Sequence, residues 1–86
     1  MNEKELSEAG LEFLEADLHI ALTLLDVAAT TRDGETARRN RAKARHAYDT
    51  ALRHLQNFRP DLAQGQVIYQ KLGLLKARLQ RIGEQF

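Results

Sequence analysis

The chain has 86 residues, 43% of them hydrophobic and 29% charged, with five Gly, one Pro and no Cys. That describes one small domain with a single core and little room for disorder, and it excludes disulfides, thiolate metal sites and a Cys nucleophile. The net charge of +1 conceals an asymmetry, because residues 1–31 carry seven Asp/Glu and one Lys, residues 32–59 eight Arg/Lys and three Asp/Glu, and residues 60–86 four and two.

Residues 3–30 read as the first helix. Asn2 with Glu5, or Ser7, supplies an N-cap, and the early Glu residues suit the positive end of a helix dipole. Wound at about 100° per residue, Leu11, Leu14, Leu18, Ala21, Leu22, Leu25 and Ala28 form one apolar stripe. Leu6, Phe13, Ile20, Leu24 and Val27 form a second. Two apolar faces on one helix call for two partners, which a three-helix bundle provides. Ile20 is therefore expected in the core with Leu18 and Leu75. Thr30-Thr31-Arg32-Asp33-Gly34 is the first cluster of turn formers, with Asp33 placed to cap the next helix.

The second helix, 34–58, has Ala37, Ala44, Tyr48, Ala51, Leu55 and Phe58 on its apolar face. Asn40 and Arg41 interrupt that stripe, and the first half offers only Ala, which buries little area. This end of the bundle is expected to be its weakest part. Pro60, Asp61 and Gln64 are spaced to open a third helix over 61–83. In it Ile68, Leu72, Leu75, Leu79, Ile82 and Phe86 repeat at steps of 4 and 3, a heptad seam. Val67 and Leu74 on one side, and Tyr69 and Leu62 on the other, are apolar surplus that suits a second protomer.

The expected fold is all-α, an up-down-up antiparallel three-helix bundle spanning 1–86 as a single domain. This topology gathers residues 20–45 and 74–86 at one end. Nine basic groups lie there, Arg32, Arg38, Arg39, Arg41, Lys43, Arg45, Lys76, Arg78 and Arg81, against Asp26, Asp33, Glu35 and Glu84. The opposite end has four basic groups against eight carboxylates. The rod has a basic and an acidic pole.

Candidate sites are few. Asp17 lies between the two stripes at the level of Arg45 and Tyr48, so a buried polar pair among these three that fixes helix register is expected. His19, His46 and His54 do not share a face, and no Glu-x-x-His occurs, so no metal site is expected. No nucleophile motif, phosphate loop or zinc signature is present, so neither catalysis nor a cofactor is expected. Arg38, Arg41, Arg45, Arg78 and Arg81 are the candidate residues for holding nucleic acid or another polyanion, with few aromatics nearby for base stacking. The opening MNEKELSE is acidic without a signal-peptide core, and no apolar run approaches the length of a membrane span, so a cytoplasmic location with no membrane partner is expected.

Ala44, Tyr48 and Ala51 are similar in spacing to the second helix of a tetratricopeptide repeat, and the size resembles three-helix microtubule-interacting-and-trafficking modules. The first helix is too long for the former unit, Pro60 is displaced from its proline position and no second copy is present. Neither family is assigned. The reading that fits best is a helical interaction or scaffold domain that self-associates or binds a partner protein, with polyanion binding as the alternative.

Overall fold

The computed structural model describes residues 3–57 and 62–86, with side chains described for 9–56, 63 and 65–86. Three helices, α1 (Glu3–Thr30), α2 (Gly34–Asn57) and α3 (Leu62–Arg81), account for the described fold, an all-α three-helix bundle. The expected caps at Asn2 and around Pro60 lie outside the described residues, as do the side chains of Leu6, Phe58 and Leu62, whereas Ser7 falls inside α1 and does not start it. At about 1.5 Å per residue α1 is roughly 42 Å long, which sets the long axis of a molecule measuring 46 × 22 × 18 Å.

The turn between α1 and α2 is held by short-range hydrogen bonds. The Thr30 hydroxyl donates to the Asp26 carbonyl, and the Thr31 amide donates to the Val27 carbonyl, closing the last turn. Asp33 then opens α2 as expected, its Oδ1 accepting from the Glu35 amide at 3.1 Å and its Oδ2 from the Thr36 hydroxyl at 2.7 Å. One otherwise unmet backbone donor at the helix start is satisfied, and the Thr36 hydroxyl fixes the cap's rotamer. The Thr36 hydroxyl, and then the Glu35 amide, hold the Asp33 carboxyl below the ordinary carboxylate range.

The core is a ladder of Leu11, Leu14, Leu18, Ala21 and Leu25 from α1, Ala44, Tyr48 and Ala51 from α2, and Ile68, Leu72, Leu75 and Leu79 from α3. Leu18, Ile68, Leu75 and Leu79 are fully buried. Asn40, which breaks the α2 stripe, is itself 9% exposed, so that level of the core is polar and thinly packed. α1 and α2 are antiparallel, since residues 10–17 of α1 share a surface groove with Thr50 and His54, and residues 17–24 share one with Lys43, His46, Ala47 and Thr50. α3 runs parallel to α1, with Lys71 paired to Glu15 at 3.3 Å and Arg78 to Asp26 further along.

Two expectations are corrected. Most of the second stripe of α1 is not core: Phe13 is 69% exposed, Ile20 54% and Val27 41%, while Leu24 is half-buried at the groove with α2. α2 and α3 both settle on the flanks of the first stripe, through Ala21 and Leu14 on one side and Glu15 and Asp26 on the other, leaving the opposite face uncovered. The heptad seam of α3 also stops early. Leu79 is buried, but Ile82 and Phe86 are each 46% exposed, because the helix ends at Arg81 in a glycine cap. Gly83, at φ +101°, donates to the Gln80 carbonyl, and the Glu84 amide donates to the Leu79 carbonyl. This is the paired 5→2 and 6→1 pattern of a Schellman turn. Past it the chain no longer keeps helical spacing, so Phe86 leaves the seam, while Ile82, whose amide still donates to the Arg78 carbonyl, stays in register at the end of the helix.

Candidate functional site

Phe86 returns to the bundle by another route. Its ring meets Tyr48 edge-on at 5.0 Å and 78° between planes, and the Arg45 guanidinium lies 3.9 Å from its centroid. Arg45 Nη1 also donates to the Gln85 carbonyl at 2.7 Å and approaches Glu84 Oε2 at 3.6 Å, while Nε reaches Asp49 Oδ1 at 3.2 Å. Arg45 thus clamps residues 84–86 onto α2 by cation–π contact, ion pair and a charge-assisted hydrogen bond.

That clamp overturns the expected polar pair. Asp17 is half-buried and lines the grooves between α1 and α2 beside Lys43, His46 and Thr50, whereas Arg45 and Tyr48 turn toward the end of α3. Residues 45 and 48 lie on the α3 side of the α2 axis, so the level matches but the azimuth does not. Of the histidines, His46 Nε2 lies 3.4 Å from the Thr50 hydroxyl, and His46 and His54 each edge one of these grooves. Among the described residues no three His, Asp or Glu side chains converge on one point.

The basic pole divides into two kinds of cation. Arg38 pairs with Glu35 at 2.8 Å, Arg45 with Asp49 and Glu84, and Arg78 with Asp26. Three of the five candidate polyanion residues therefore have carboxylate partners close by. Arg41 and Arg81 have none among the described residues, and both edge a cleft of about 200 Å³ with Arg78, floored by Leu25, Ala28, Ala29 and Ile82. Arg38 and Arg41 meet again in an adjoining groove against Ala42 and residues 82–84. The cleft exists for two local reasons. The end of α1 offers only the small Ala28 and Ala29 at this level, and α3 ends at Arg81, so no further helical turn closes the gap. Gly83 was the sequence signal for this, a glycine just past a basic last turn.

The second feature is the bare outer face of α1. Phe13, Ile20 and Val27 recur every seven residues, with Ala9, Ala16, Thr23 and Thr30 exposed between them in the alternate positions of the same seam. Val67, Tyr69 and Leu74 of α3 and Leu52 of α2 are exposed elsewhere. None of the helices, over the described residues, is long and apolar enough to cross a membrane. No family model matches the chain, and neither a curated protein nor a solved structure shows a match to it.

Proposed function

We propose that this chain is a non-catalytic helical interaction domain of the cytoplasm, and that the outer face of α1 is its contact surface. The observation that carries the reading is the exposure of Phe13, Ile20 and Val27 in one seven-residue register along a helix whose other face is already buried. A heptad stripe of large side chains alternating with Ala and Thr is what a packed helix pair uses, and here its large side chains stay 41% to 69% exposed.

The occupant that fits is a second copy lying antiparallel. In that arrangement a two-fold axis passes near Ile20, so Phe13 of one copy faces Val27 of the other and each Ile20 faces its counterpart. It also sets the basic pole of each rod beside the acidic pole of the other, whereas a parallel pairing would set like charges together. Asp26, on the flank of the stripe, is already matched by Arg78. Burying a side chain of this size is worth about 1.5 to 3 kcal/mol, and the cost of association is a large fraction of the total from six of them.

Sedimentation equilibrium at low and high salt tests the reading. A dimer that weakens with salt and is lost in Ile20→Glu, with helicity unchanged, is the expected result. A monomer at high micromolar concentration in both salts, or a dimer indifferent to Ile20→Glu, refutes it.

A further inference from the structure

The cleft at the basic pole suits a ligand that the α1 face does not. Its floor is apolar, made by Leu25, Ala28, Ala29 and Ile82, and its rim carries the guanidinium groups of Arg41, Arg78 and Arg81. Arg78 is shared with Asp26, while Arg41 and Arg81 have no carboxylate partner among the described residues. The volume of about 200 Å³ corresponds to roughly seven waters at the density of the liquid. A duplex or single-stranded nucleic acid needs an extended track of cations and stacking surface, and this rim offers neither beyond one short cluster.

We propose that this cleft binds a small organic carboxylate of about six to eight non-hydrogen atoms in all, the greater part of them an apolar body. The aliphatic or aromatic part lies on Ala28, Ala29 and Ile82, where the absence of larger side chains leaves room. The carboxylate sits between Arg41 and Arg81, whose planar donor forks match its two oxygens. Neither half suffices alone: the floor is too small to hold an uncharged chain tightly, and the exposed rim would hold a bare anion only weakly in salt. The site uses none of Phe13, Ile20 and Val27, so it stands or falls independently of the contact surface on α1.

The test is a titration of the full chain with hexanoate, followed by NMR through the methyl groups of Ala28, Ala29 and Ile82. For so small a ligand millimolar affinity is expected. 1-Hexanol supplies the same tail without charge, and acetate the charge without the tail. Hexanoate should shift the three methyls saturably with one site per chain, and should bind about tenfold or more tighter than either control, since each control forgoes one half of the interaction. Changing both arginines, Arg41→Ala with Arg81→Ala, should weaken hexanoate by about tenfold or more, and Arg39→Ala, off the rim, should leave it unchanged. Binding of 1-hexanol or acetate as tight as that of hexanoate, an undiminished affinity in the double variant, or shifts confined to Phe13, Ile20 and Val27 would overturn the proposal. So would a failure to saturate by about 50 mM hexanoate.

Discussion

Leu11, Leu14, Leu18 and Leu25 lie on the same helix as Phe13, Ile20 and Val27, are of similar size and hydrophobicity, and end in opposite environments. The first set is buried between both neighbouring helices, whereas the second keeps much of its surface exposed, with Phe13 and Ile20 only edging grooves against α2. An apolar stripe records that a face would gain from a partner, but three helices of this length make only one shared core. Once α2 and α3 dock on the two flanks of the leucine stripe, the opposite side of α1 has no helix left to cover it. The same contrast recurs within α3, where Ile68, Leu72, Leu75 and Leu79 are inside and Ile82, in the same heptad register, is outside.

Truncations on the two stripes should separate them most sharply. Leu18→Ala and Leu75→Ala each remove a fully buried side chain and should cost about 2 to 5 kcal/mol of unfolding free energy, enough to threaten a domain of this size. Ile20→Ala should change it by no more than about 0.5 kcal/mol at concentrations where the chain is monomeric. Urea midpoints decide the matter, and a loss for Ile20→Ala as large as for Leu18→Ala would erase the distinction between the stripes.

A smaller effect probes the glycine cap that ends α3 beside Ile82. Gly83 adopts φ +101° with open space around the position of a Cβ, so the strain in Gly83→Ala is conformational rather than steric crowding by neighbours. It should cost about 1 kcal/mol or slightly more. If instead the variant is as stable as the parent and Ile82 stays as exposed as before, the glycine cap is not what ends the helix. The smallest effect concerns the turn that sets α2 against one flank of α1. Because the folded state lowers the Asp33 pKa from its ordinary 3.8, ionisation favours folding. That contribution is fully present above the unfolded-state value and is lost as pH falls through the folded one. Urea midpoints of the parent and Asp33→Asn should therefore differ by a constant amount above about pH 5 and converge in more acid solution. A gap that does not close on acidification would remove the charge on Asp33 from the account.

The sequence by itself determined the three helices, the turn at Asp33, the leucine stripe and most of the α3 seam, because spacing, caps and breakers are local properties of the chain. It also carried the charge separation along the rod, since two short connections leave neighbouring helices antiparallel. What only the tertiary structure decided was azimuth: which of two apolar faces of α1 is covered, and on which side of α2 an arginine emerges. Asp17 and Arg45 lie at one level but on different sides, and a level can be counted along a chain whereas a side depends on where the neighbouring helices settle. The cleft of Arg41, Arg78 and Arg81 likewise needed the structure, because it forms where three helix ends of unequal length meet small side chains and a glycine turn.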